Sequence, residues 1–277
     1  ASEGRLKLGA EPTLVRESVT TLVLDGNDGL GHLTAYRAIH RAIEKARTSE
    51  ICSVSFTRLQ HIGRVGEYAE IAARAGCIGI ITVGRGTPNT LKVLPFGGSK
   101  GSLGTNPFSV GVPTGDDTPF VLDFATSVVA EGKLQVARSK GLPVAEDIIV
   151  DKDGNDTTNP LDFYDGGFLR TFAGHKGYAM SLMNCLLGGL SGNFTDELRF
   201  GGGFIQILNI SAFTDPEAYQ QSVRTFLNNM KTTEPAPGVD EVLVPGEFEA
   251  RNRKERLKNG VEIPDPICQQ IQEWSDH

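Results

Sequence analysis

Several familiar signatures are missing from these 277 residues. There is no G-x-G-x-x-G, which removes the Rossmann dinucleotide fingerprint, and no G-x-x-x-x-G-K-[ST], which removes the P-loop. H-E-x-x-H is absent, and no nucleophile elbow is read from the chain. Cysteine is scarce: Cys52, Cys77, Cys185 and Cys268 stand alone, without a CxxC pair or metal-like spacing. Three of them lie in apolar surroundings, where a free thiol behaves as a small hydrophobe. The expectation is a reduced, cytoplasmic protein without a metal site. Long apolar runs are missing too. The longest, around residues 75–83, falls far short of the roughly 20 residues of a membrane span. The opening Ala-Ser-Glu-Gly-Arg offers no apolar segment for a secretion signal. Positive charge is short: 27 Lys and Arg face 34 Asp and Glu, a net charge of −7. With no basic cluster, neither a nucleic-acid nor a membrane partner is expected.

What is present alternates strand and helix patterns. Apolar runs at Thr20–Leu24, Ile51–Phe56 and Cys77–Val83 read as strands. Between them lie a helix with Leu33, Tyr36, Ile39 and Ile43 at spacings of three and four, and a short helix Val65–Ala75 closed by Gly76. Asp25–Gly29 reads as a turn. Strand–helix–strand units of this kind suggest parallel pairing through a right-handed crossover. Phe108–Val112 and Phe120–Leu122 flank a turn-rich connection and predict a hairpin. Further helices are expected at Val128–Arg138, Lys176–Leu187, Asp215–Met230 (with Val223, Phe226, Leu227 and Met230 on one face), Glu247–Lys258 and Asp265–Trp274, with strands at Asp147–Val150 and Phe204–Leu208. The Lys176–Leu187 helix is apolar most of the way round, which calls for burial or a subunit contact. The fold class is α/β, a mixed sheet with flanking helices in a single domain over 1–277. Its core runs over about 20–231, with the segment 232–277 packing back on it.

Histidine is sparse, so its context matters. His32, in a turn before a helix, and His40, beside Arg37 and Arg41, read as structural. His61 and His175 lie in glycine-rich segments where secondary structure changes, the usual place for function. Gln60–Gly66 joins a strand end to a helix start, where backbone N–H groups can receive an anion. The bland alternative is that His61 caps this helix or fills a turn. A second cluster, Phe96–Pro107, has four glycines in eight positions, and it carries Thr105 and Asn106. A third is Leu122-Asp123-Phe124-Ala125-Thr126-Ser127, where Asp123, Thr126 or Ser127 either caps the next helix or binds ligand hydroxyls. The fourth, Gly174-His175-Lys176-Gly177-Tyr178, puts two potential cations at a helix start, unfavourable for the helix dipole unless an anion is near.

The ordered set HIGR, GTNP, DFATS and GHKGY, with Gly154 and Thr157-Thr158-Asn159-Pro160 before the last, resembles the type-2 malate/L-lactate dehydrogenase family from about residue 20 onward. Leu243–Glu249 and Arg251–Arg256 look most like its bacterial hydroxycarboxylate dehydrogenase B branch. The resemblance implies a non-Rossmann dinucleotide-binding fold, with NAD or NADP as cofactor and a small 2-oxo or 2-hydroxy acid as substrate. It also implies a homodimer. His61 would be the acid/base residue, a role suited to an imidazole near neutral pH. Gly63, Arg64 and Val65 would lie against the cofactor. Val121, Leu122, Asp123, Phe124 and Ala125 would run along the dinucleotide, with Asp123 toward ribose hydroxyls. Thr105 and Asn106 would border the nicotinamide, and His175 and Lys176 the phosphates or adenosine. Asn209, Gly246, Glu247, Phe248 and Glu249 would complete the cofactor site.

The pattern also departs from the family. Its helical N-terminal segment, with Ser-His-Gly and a following Arg for the substrate carboxylate, has no counterpart here, and no S-H-G occurs. Arg58, Arg64 and Arg85 are the substitutes on offer for that Arg. Arg58-Leu59 stands where relatives carry Asn-Ser. Two other readings accompany the main one: a reductase of cyclic imines such as Δ1-piperideine-2-carboxylate, and a cofactor-binding homologue without catalysis.

Overall fold

The computed structural model describes residues 6–192 and 200–275. In chain order the elements are β1 (Thr13–Glu17), β2 (Thr21–Gly29), α1 (Gly31–Ser49), β3 (Ile51–Leu59), α2 (Gly66–Arg74), β4 (Cys77–Gly86), β5 (Phe108–Val112) and β6 (Phe120–Phe124). They are followed by α3 (Glu131–Ser139), β7 (Ile149–Val150), β8 (Asp156–Thr157), α4 (Pro160–Tyr164), β9 (Phe168–Leu169), α5 (His175–Gly188), β10 (Phe200–Asn209), α6 (Pro216–Lys231), α7 (Glu247–Asn259) and α8 (Asp265–Ser275).

Seven strands form the main sheet in the order β1-β2-β3-β10-β4-β5-β6. Only β2 and β3 pair in parallel, through the α1 crossover; every other pairing is antiparallel. The expected crossover pair is therefore found once. Across α2, β3 and β4 point the same way, but β10 lies between them and bonds both. The hairpin of β5 and β6 forms as expected. Asp25–Gly29 is not a free turn. It continues β2, and Asn27 and Asp28 take positive φ at a register shift there.

Alternation along β4 fixes which helix covers which face. Gly79 abuts Ala72 of α2, whereas Gly84, an odd number of residues on, abuts the backbone of Asn184 and Cys185 in α5. On the α2 face, Ala35, Ala38, Ala42 and Ala46 of α1 lie with Ile39 and Ile43 over Leu24, Val54, Phe56, Ile205 and Ile207. Tyr36 is turned out of this core, 47% exposed and stacked on His40 at 4.2 Å. Alanines, poor markers of periodicity, do most of the inward packing.

A second sheet, β8-β7-β9, packs with α3 and α4 around Leu134, Ile149, Phe163 and Leu169. α6 forms as expected from its Asp215 cap, but no residue of it is buried, and Phe226 and Met230 lie open. α5 is inside out. Gly177, Ser181, Asn184, Cys185 and Gly188 are buried, while Leu182, Met183 and Leu186 face outward.

Candidate active site

The loop after β3 is pinned from both sides. The His61 Nδ1 accepts the backbone N–H of Gly63 at 3.1 Å, closing a tight turn. The buried Tyr68 hydroxyl donates to the Ile62 carbonyl at 2.6 Å, and burial pushes that phenol up to about 12. His61 thus fills a turn and does not cap α2. The first N–H of α2, on Gly66, goes instead to Asp123 Oδ2 at 3.0 Å. A foreign anion was expected at this helix start; the chain's own carboxylate occupies it. Arg64 stands among Asp123 (3.5 Å), Glu70 (3.8 Å) and Glu67 (4.0 Å). Burial raises the Asp123 carboxyl, the Gly66 N–H and Arg64 pull it down, and Glu249 pushes it up.

Residues 121–128 join the other motifs. Thr126 sends both its N–H and its hydroxyl to the Thr105 carbonyl, at 2.8 and 3.0 Å. Phe172 N–H returns to the Thr126 carbonyl at 3.0 Å, tying in the segment before His175. Val121 N–H reaches the Pro245 carbonyl at 3.1 Å, drawing Gly246 onto the start of β6. β6 is an outer strand. Since Val121 points away from β5, the N–H and C=O of Asp123 point away as well. None of Asp123, Thr126 and Ser127 caps the following helix: α3 begins at Glu131 with no side-chain cap, and the Ser127 hydroxyl bonds Val129 O.

His175 and Lys176 are exposed at the head of α5, whose first turn holds no acidic residue, and the His175 ring meets Phe96 edge-on at 5.9 Å. Phe248 and Glu249 lie in the first turn of α7. Glu247 is engaged with Lys231 and the Val244 N–H.

Two expected contacts are placed otherwise. Asn106 is 2% exposed, with its amide spent on Arg85 N and O and on the Ser181 hydroxyl (2.8, 3.2 and 2.8 Å), so it anchors its loop to α5. Asn209 opposes Cys77, at the end of the sheet away from His61, where its side-chain oxygen caps Ser211 N–H. Arg58 is also committed: its Nε bonds both oxygens of Asp25, at 2.8 and 2.9 Å, and it is no free partner for a substrate carboxylate. Gly97-Gly98-Ser99-Lys100-Gly101 has G-x-S-x-G spacing, but it lies in the connection between β4 and β5, not at a strand-to-helix elbow.

One neighbour was missed. His32, the second residue of α1, stands beside His61 with ring centroids 5.9 Å apart. Its sequence context gave no signal, because the contact comes from parallel pairing of β2 with β3. A crevice of about 500 Å³ lies elsewhere, between residues 114–120, α6 and the segment with Val244, Pro245 and Glu247. It is lined by ion pairs such as Arg224–Asp116, and none of its walls comes from the His61 loop. Among the described residues no three His, Cys, Asp or Glu side chains gather as a metal site, and no helix is long and apolar enough to cross a membrane.

A mixed sheet with no glycine fingerprint, its motif segments gathered around one outer strand and the residues that follow it, defines a non-Rossmann α/β fold. Residues 1–272 match the family described as malate/L-lactate dehydrogenase. The hydroxycarboxylate dehydrogenase B of Escherichia coli O157:H7 is 37% identical over 275 residues, covering 95% of this chain and 75% of that protein. The L-sulfolactate dehydrogenase of Methanothermobacter thermautotrophicus is 33% identical over 280 residues, covering 97% and 78%. The crystal structure of malate dehydrogenase from Entamoeba histolytica superposes with a TM-score of 0.91 at 27% identity, covering 99% of this chain and 81% of that one. The chain belongs to the malate/L-lactate dehydrogenase family, and it is an enzyme of the 2-hydroxyacid dehydrogenase class.

Proposed function

We propose that this chain interconverts a small 2-oxo acid and its 2-hydroxy acid with NAD or NADP, His61 handling the proton. The observation that carries this is the convergence on residues 121–126: the His61 loop and the Gly246 turn are fastened to β6, and the Thr105 loop and the segment leading to α5 to Thr126 just beyond it. The donor set suits a dinucleotide. The outward backbone groups of Asp123 offer a donor and an acceptor. His175 and Lys176, exposed and without a carboxylate in their turn, suit phosphate oxygens. Gly63, Arg64, Val65, Thr105 and residues 246–249 are distributed along this strand and the residues that follow it. When bound, the cofactor supplies or takes up the hydride.

His61 does the rest at the substrate oxygen. The Gly63 N–H on Nδ1 selects, for the neutral ring, the tautomer with its proton on Nε2. That N–H is the donor aimed at a carbonyl oxygen as negative charge develops there. Full proton transfer requires Nδ1 to carry a proton in turn, so the Gly63 bond is released during the cycle.

The same reading takes residues 1–277 as one domain, in the cytoplasm, working as a homodimer. The outward apolar stripe of α5, with Leu182, Met183, Leu186 and the neighbouring Leu190 exposed, supports the pairing. The relatives named above are malate, sulfolactate and hydroxycarboxylate dehydrogenases at 27–37% identity, against 25% for the Δ1-piperideine-2-carboxylate reductase that shares the fold, which favours an oxo acid over a cyclic imine. The test is titration with NADH and NADPH, followed by turnover with oxaloacetate, pyruvate and phenylpyruvate. His61→Ala is expected to lower turnover by ~10²–10⁴-fold with cofactor affinity within a few fold. Full activity in that variant removes His61 from the reaction.

A further inference from the structure

The geometry points to His32 as a positioning residue that holds the His61 turn in its Nε2–H form. This rests on the role given to His61 above. Two glycines let the first turn of α1 dovetail with that turn. Gly31 lies so close that a Cβ there would sit 2.0 Å from the Gln60 carbonyl oxygen and 2.6 Å from that of His61. Gly63, at φ +76°, leaves a gap that the His32 imidazole fills, its Nε2 2.5 Å from where a Cβ would stand. The His32 ring also meets the His61 ring edge-on, interplanar angle 62°. One side chain therefore touches both ends of the hydrogen bond that selects the His61 tautomer: the ring carrying Nδ1 and the residue donating the N–H.

Packing of this kind acts on orientation, not on the proton itself. While His32 occupies the gap, the Gly63 end of the hydrogen bond is held in place, and its release during proton transfer falls to rotation of the His61 ring. Removing His32 frees the turn, so the neutral His61 ring samples both tautomers and the substrate meets the wrong nitrogen part of the time. His32 lends no atom to the substrate in this account. A flat ring without nitrogens should replace it in part.

Three measurements test this. First, ¹⁵N-detected imidazole spectra of neutral His61, with assignment from His61→Ala, should show the Nε2–H form in the parent and a mixture in His32→Ala. An unchanged spectrum overturns the proposal. Second, Gly63→Ala should lower Tm substantially in the parent and clearly less in a His32→Ala background, because the gap is then vacant and only the backbone strain persists. Equal losses overturn the wedge. Third, His32→Ala should lower kcat roughly ten- to a hundredfold with cofactor Kd unchanged, and His32→Phe should recover part of it. If Phe recovers nothing, His32 acts through its nitrogens and the positioning role falls. The spectra and the Tm cycle need no turnover. Should His61→Ala prove fully active, they still judge the His32 contact separately from the reaction.

Discussion

Asp123 holds the start of a helix that belongs to another part of the chain: its Oδ2 takes the Gly66 N–H at 3.0 Å, joining the outer strand β6 to α2 across 57 positions of sequence. Burial raises this carboxyl, so the folded chain binds its proton more tightly than the unfolded chain does. The penalty of keeping it charged is present above its folded pKa and eases as the pH falls through that value. Asp123→Asn stays neutral and can still accept from Gly66. Its stability relative to the parent should therefore be most favourable at neutral pH and decline on acidification toward the ordinary carboxylate range. Urea midpoints across that interval check the trend, and a relative stability that rises on acidification contradicts it.

Arg58 is bound to Asp25 through both carboxylate oxygens and also bonds the Asn27 side chain, at an exposed site. Arg58→Gln should cost only ~0–1 kcal/mol, the range of exposed ion pairs. The KM for any accepted oxo acid should stay within about twofold, since small-substrate recognition by Arg needs a free guanidinium fork. A large rise in KM would return Arg58 to the substrate.

Asn106 is buried and makes its bonds from a left-handed backbone, φ 38°. Asn106→Ala strands the Arg85 N–H and the Ser181 hydroxyl, and should destabilise by about 1–3 kcal/mol. The loss is read from denaturant unfolding. Because the loop carrying Thr105 hangs on this amide, cofactor affinity should weaken with it.

The exposed stripe of α5 gives a test of assembly. Leu186→Glu, at a residue 60% exposed, should leave the subunit folded yet shift sedimentation from dimer to monomer. A parent that sediments as a monomer at micromolar concentration removes the pairing altogether.

Burial pushes the Cys52 and Cys185 thiols up to about 11 and raises Cys77 as well. In the native protein these three should resist a disulfide reagent, leaving the partly exposed Cys268 to react promptly. Rapid titration of more than one thiol before unfolding contradicts this packing.

Local patterns made most elements legible in advance. The β5–β6 hairpin, the cap at Asp215 and the glycine ending at Gly76 all follow from residues close in sequence. Pairing at a distance was not legible. β10 inserts between β3 and β4 although nothing in Cys77–Val83 marks which neighbour it takes. The site divides the same way. The motif segments were visible one by one, but their fastening to β6 and to Thr126 beyond it is carried by backbone groups of Thr105, Thr126, Phe172 and Pro245, which no side-chain pattern announces. Asn106 and Asn209 show the converse. Amides suited to a ligand are spent on the fold, because buried or turn-forming backbone must be satisfied first. The left-handed Asn27 and Asp28 let β2 carry on through residues that look like a turn.

A strand at the rim of a sheet is a template for unwanted partners. β6 is such a rim, and the Pro245 carbonyl already claims the Val121 amide. Proteolytic clipping ahead of that proline would strip the cover from a short apolar template, so ageing or nicked preparations should thicken into β-rich aggregates before they unfold.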